Sequence, residues 1–186
     1  MNLWVEFAPE NRLARNGGQG IIYTINVDAS FVSTDQCIGI GFLLRDNTGY
    51  FRGAKCMQHR SYCSEEAEGI ALFEAIKWAK DLNITRIIFE SDAQVLVRYI
   101  QGNDVKIDWR CKSILEDCKF LISNSVSFVV NFFPRSANRA ADCLAKAARI
   151  SSSSCSVLTD APSFLFDILN HDSIIDVIEV DPRLVL

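Results

Sequence analysis

Histidine is nearly missing from this chain, with His59 and His171 the only two in 186 residues, and proline and methionine are scarce at four and two. Chemistry built on several imidazoles is therefore excluded. None of the seven cysteines has the close CxxC spacing of a zinc ribbon. Cys56 with Cys63 and Cys111 with Cys118 repeat one interval, but small buried hydrophobes are a simpler reading than a zinc site. An odd number of thiols also argues against a disulfide framework. No apolar run approaches the roughly 18 residues of a membrane span, and no basic leader precedes an apolar core. Neither a membrane segment nor secretion is expected, and a nuclear or cytosolic location is the default.

A basic excess is lacking as well, since the formal net charge is −4. That charge is unevenly divided. Residues 21–150 hold 15 acids against 16 bases, whereas residues 151–186 hold six acids against one base. The acidity belongs to the tail, so the central part can still approach phosphate if some of its acids are neutralised by cations.

What is present is a core-forming chain, 49% hydrophobic. Residues 1–20 carry Trp4, Val5 and Phe7 without a sustained period and close on Gly17-Gly18-Gln19-Gly20, the composition of an extension and linker. Residues 21–150 read as one α/β domain. Tyr23 to Ser30 and Cys37 to Arg45 alternate as strands, Asp46 to Gly49 is a hairpin turn, and Tyr50 to Met57 returns as a third strand. Gly39 and Gly41 imply that another backbone comes close on their side of the second strand.

Ser64 is placed to cap a helix that ends near Asp81. Thr85 to Asp92 and Val126 to Phe133 are strands of parallel type, separated by helices at 93–101 and 109–122, and Arg139 to Ile150 is a last helix. The expectation is a mixed five-stranded sheet, three antiparallel strands followed by two parallel ones, with helices on both faces. Residues 151–186 form an acidic tail with a short amphipathic helix after Pro162, carrying Phe164, Leu165, Ile168 and Leu169, and an apolar stretch from Ile174 to Val180.

Four acids fall at element ends: Asp28 and Asp92 close strands, Glu68 lies in line with Leu72, Ala75 and Ala79 on the apolar stripe of its helix, and Asp142 opens the last helix. Each has an ordinary explanation alone. Asp28 and Asp92 suit turns and caps, Glu68 suits a semi-buried ion pair, and Asp142 suits the positive end of a helix dipole. Together they suit two divalent cations that activate a water and stabilise the leaving oxygen of a phosphodiester.

The stretches Ile25-Asn26-Val27-Asp28-Ala29-Ser30, Gly39 to Asp46, Ala67-Glu68, Glu90-Ser91-Asp92-Ala93 and Asn138 to Lys146 resemble, in that order, the motifs of the ribonuclease H type 1 family. The likeness covers about residues 21–150 and is greatest to the reverse-transcriptase-like branch abundant in plants, found alone or at the end of non-LTR retrotransposon polyproteins. The resemblance implies the ribonuclease H fold, with Asp28, Glu68, Asp92 and Asp142 holding two Mg²⁺ ions, for which Mn²⁺ can substitute. It implies endonucleolytic hydrolysis of the RNA strand of an RNA–DNA hybrid. Asp28 would bridge the ions, with Glu68 and Asp92 on one and Asp142 on the other. Ala29, Ser30, Gln94, Arg135 and Asn138 fall at positions that would meet nucleic acid, Gln94 in the minor groove.

Two departures stand out. The loop Pro134-Arg135-Ser136-Ala137-Asn138 lacks the mobile histidine of bacterial and retroviral members, and Glu65 and Glu66 stand where some members have asparagines, with repulsion of phosphate as the expected result. They keep two alternatives open: a catalytically weak or inactive nucleic-acid-binding module, and a retroelement-derived interaction protein whose tail engages a protein partner or folds back on the core.

Overall fold

A computed structural model describes residues 21–169. The apolar stretch expected at Ile174 to Val180 and the Trp4 segment lie outside the described residues. The strands are β1 (Tyr23–Ser30), β2 (Ile38–Arg45), β3 (Phe51–His59), β4 (Arg86–Ser91), β5 (Ser127–Phe132) and β6 (Cys155–Leu158). The helices are α1 (Ser64–Asp81), α2 (Gln94–Ile100), α3 (Trp109–Ser123) and α4 (Arg139–Ile150). The sheet runs β5-β4-β1-β2-β3-β6. β1, β2 and β3 pair antiparallel, and β1, β4 and β5 pair parallel, as the alternation and the intervening helices require.

Among the described residues the sheet has six strands, one more than the five expected. Cys155 to Leu158 pairs antiparallel with β3 beyond the serine-rich joint, and Gln58 N–H donates to the Ser154 carbonyl. Four residues are too few to show a strand period, and this strand forms because β3 offers it an open edge.

Alternation along β2 splits the core between the two faces. Ile38, Ile40, Phe42 and Leu44 join the larger apolar cluster with Ala71, Ala75 and Trp78 of α1 and Cys111, Leu115 and Cys118 of α3. Cys111 and Cys118 are thus core residues, and no pair of the described cysteines forms a disulfide. On the other face α4 lies directly on the glycines. A Cβ on Gly39 would overlap the backbone of Ala145 and Arg149, and one on Gly41 would overlap Ala145 and the Leu144 side chain. Leu43, Ala54, Ala140, Leu144 and Leu165 complete the smaller cluster there.

Candidate active site

Parallel pairing of β1 with β4 sets Val27 beside Ser91, so the two strands deliver Asp28 and Asp92 at one edge of the sheet. Asp28 is still paired to Gly41 of β2 and is 4% exposed. The third carboxylate comes from α1. Its N-cap is Cys63, whose Sγ accepts the Glu66 N–H at 3.4 Å, rather than Ser64 as the sequence suggested. Leu72, Ala75 and Ala79 are buried against the sheet, and Glu68 on the same stripe is carried with them. Ligand oxygens of Asp28, Glu68 and Asp92 come to within 4.8 Å of one another.

This proximity is electrostatically costly. Burial, reinforced by the charges of Asp92 and Asp142 and opposed by Arg135, pushes the Asp28 carboxyl up to about 8. Burial first, then the Asp28 and Asp92 charges, pushes Glu68 well above the usual carboxylate range, against a hydrogen bond from the Ala29 backbone. Glu68 Oε2 is buried and has no hydrogen-bond partner. A buried oxygen left unpaired costs several kcal/mol unless something positive meets it. A divalent cation with oxygens at about 2.1–2.4 Å spans ligand pairs of up to about 4–5 Å. The three carboxylates therefore fit one in both chemistry and spacing.

Asp142 is treated differently. It opens α4, close enough to Asp28 to raise its pKa, but lies outside the three-oxygen group. Lys146 Nζ stands 2.7 Å from its Oδ2, and Arg135 Nη2 stands 3.9 Å from its Oδ1. Arg135 also places Nε 4.0 Å from Asp92 Oδ2, so its guanidinium lies across the mouth between the two acids. Lys146 went unnoticed in the sequence, although its i,i+4 spacing from Asp142 on a helix was a readable signal.

Among the residues expected to meet nucleic acid, Gln94 at the start of α2 and Arg135 are exposed, and Ala29 and Ser30 are half-buried. Ser30 Oγ accepts from Arg149 Nε at 3.0 Å. Asn138 corrects the expectation. It is 1% exposed, and its Nδ2 donates to the Val27 carbonyl at 2.9 Å, so it braces the loop against β1 and has no surface to offer a ligand.

The two acids expected to repel phosphate are also engaged internally. Glu65 Oε1 accepts the Asp108 N–H at 2.7 Å, and Glu66 Oε2 accepts from Tyr62 N at 2.6 Å and Ser61 Oγ at 3.0 Å. They stitch the turn before α1 and the start of α3 to the first turn of α1.

A family model described as reverse transcriptase-like matches residues 26–148, which include all four acids. No curated protein sequence matches the chain. Among solved structures, RNase H1 from the halophilic archaeon Halobacterium salinarum is similar at 20% identity and a TM-score of 0.62, covering 69% of this chain and 96% of its own. The N-terminal RNase H domain of a Mycobacterium tuberculosis protein gives 18% identity and a TM-score of 0.63, covering 70% of this chain and 94% of its own. LC11-RNase H1, solved in complex with an RNA/DNA hybrid, gives 20% and 0.61 over 70% of this chain and 96% of its own. At such identities these likenesses establish the ribonuclease H-like fold.

Proposed function

The chain belongs to the reverse transcriptase-like family, and we propose that it hydrolyses the RNA strand of RNA–DNA hybrids internally, using divalent cations held by Asp28, Glu68 and Asp92. The observation that carries this reading is the convergence of three carboxylates from two strand ends and a helix, with one buried oxygen left without a partner. Crowded, desolvated carboxyls of this kind are costly to ionise alone, and a bound cation would offset that cost. A bound Mg²⁺ pair would supply Lewis acidity at the phosphodiester and a water acidic enough to attack near neutral pH.

The residues around that centre divide the remaining tasks. Asp28, fixed by β1 and β2, shares the cluster with Glu68 and Asp92 and is close enough to Asp142 to be shifted by its charge. Exposed Arg135, now beside Asp92 and Asp142, would take up a phosphate oxygen when substrate enters. Exposed Gln94 would make the minor-groove contact where a 2′-hydroxyl distinguishes RNA from DNA. Hybrid is the favoured substrate because LC11-RNase H1, of the same fold, was solved with one.

Purified protein with an end-labelled hybrid and Mg²⁺ should yield internal cuts in the RNA strand, leaving 3′-hydroxyl and 5′-phosphate ends. Asp28→Asn should reduce cutting by at least about a hundredfold. Equal cutting by the variant would assign the activity to a contaminant. A second reading, hybrid binding without turnover, draws on the Lys146 and Arg135 charges already at Asp142. Hybrid retention without cleavage in both Mg²⁺ and Mn²⁺ would favour it.

A further inference from the structure

Arg110 lies against two exposed aromatic residues supplied by different elements. Its guanidinium carbon is 5.1 Å from the ring centre of Tyr62, in the turn before α1, and 4.7 Å from that of Trp109, at the start of α3. Tyr62 and Trp109 are 69% and 71% exposed, so ring surface remains open to a ligand. Asp108 Oδ2 stands 3.7 Å from Arg110 Nη1, and 38% of the Arg110 side chain remains open to solvent. Another exposed tyrosine with an arginine over it, Tyr50 with Arg52, lies at the β2–β3 hairpin, where β2 meets the beginning of β1. That is the opposite end of the sheet from Asp28.

The Tyr62–Arg110–Trp109 group, by contrast, stands at the carboxylate end. Asp108 N–H donates to Glu65, which precedes Glu68 by less than a turn of α1, and Cys111 Sγ donates to the Glu65 carbonyl. With about 5 Å along the helix and about 8–10 Å between packed helices, the rings lie on the order of 10–15 Å from the carboxylates. Glu65 and Glu66 accept internal hydrogen bonds and Asp108 caps α3, which fixes these acids in place without removing their charge, so stacking on the rings has to carry most of the affinity. Exposed Arg60 and Lys112 flank the group in sequence.

We propose that Tyr62, Arg110 and Trp109 form a docking platform for a single-stranded nucleic-acid segment. Unpaired bases stack on the open ring faces, and the guanidinium meets the backbone phosphate between them. Flat aromatic faces with a cation on the same surface suit nucleobases of any sequence. The proposal deepens the nuclease reading, since it places a single-stranded flank of the substrate beside the cleavage centre, but its test does not need cleavage.

Binding of a fluorescent oligothymidylate to the full chain, followed by anisotropy in EDTA at low salt, reads the platform directly. Trp109→Leu and Tyr62→Leu should each weaken binding about fivefold to a hundredfold, as loss of one stacked base implies. Trp109→Tyr should largely restore it, and Arg110→Gln should weaken it and flatten its salt dependence. All three positions are at the surface, so melting temperature should hold and confirm folding. A hybrid with a single-stranded extension should bind more tightly than a blunt one, and Trp109→Leu should erase that preference. Unchanged oligothymidylate affinity in both leucine variants overturns the platform even if hybrids are cleaved. Intact stacking dependence without any cleavage leaves the platform standing and removes the nuclease reading instead.

Discussion

Asp28 ties the chemistry of the site to the stability of the fold. Its carboxyl ordinarily titrates at 3.8 and is pushed to about 8 here, so the folded protein holds a proton that the unfolded chain releases. The contribution is intact below about pH 4 and is lost as pH rises toward 8. Without divalent cations, the melting temperature should therefore fall across that window, and Asp28→Asn should flatten the fall. At pH 8 the variant should gain on the order of 1–3 kcal/mol over the parent. Mg²⁺ or Mn²⁺ should raise the parent's melting temperature more at pH 8 than at pH 5, because ionised ligands are needed. A variant with the parental slope would show that Asp28 is not the group under strain. Arg135 makes the complementary prediction. It is 4.0 Å from Asp92 and 3.9 Å from Asp142, and it opposes a cation at either. Arg135→Gln should lower the Mn²⁺ concentration needed for half-maximal thermal stabilisation severalfold, whatever it does to turnover. An unchanged midpoint would mean that the guanidinium is only a bystander at the mouth.

At the scale of elements, the site depends on α4 lying close to β2, and that closeness was legible in the sequence. Gly39 and Gly41 alternate with large apolar residues because one side of β2 must admit a backbone. Gly41→Ala should cost roughly 2–4 kcal/mol in denaturant unfolding, since the added methyl meets the α4 backbone and Leu144, which cannot swing away. It should also weaken cation binding, because Gly41 pairs across the sheet with Asp28, one of the three converging carboxylates. The carboxylates at the ends of β1 and β4 were equally legible, as was Glu68, since a strand's end and a helix's stripe are local patterns. Less legible was everything decided by a distant partner. Asn138 looked like a surface residue until its amide was found on the Val27 carbonyl, 111 positions away. Glu65 and Glu66 looked like exposed repulsive charge, and only the return of Asp108 and the turn at Tyr62 show how they are engaged.

For the molecule as a whole, the decisive question is where the sheet stops. β6 adds a strand to the edge of β3, and the chain then turns at Pro162 through a 3-10 turn, Ser163–Leu165, continuing helical to residue 169. Leu165 is fully buried with Leu43, Ala54, Ala140 and Leu144, and Ile168 and Leu169 pack at the rim of that cluster. The short helix expected in the tail thus folds home, and the side it buries lies against β2, β3 and α4. Phe164 and Phe166 face outward at 52% exposed each. Leu165→Ala should cost about 2–5 kcal/mol, the usual range for emptying a well-filled core position. Phe164→Ala, with half its surface already wet, should stay within about 0.5–1 kcal/mol of the parent. The cation midpoint should not move in either variant, because the cluster lies on the β3–β6 flank whereas the carboxylates gather where β1 meets β4. Urea unfolding with a Mn²⁺ titration on the same samples separates the two effects. Should Leu165→Ala unfold at the parental midpoint, the residues after 158 would be an ornament on the fold, and the smaller core would end with β6.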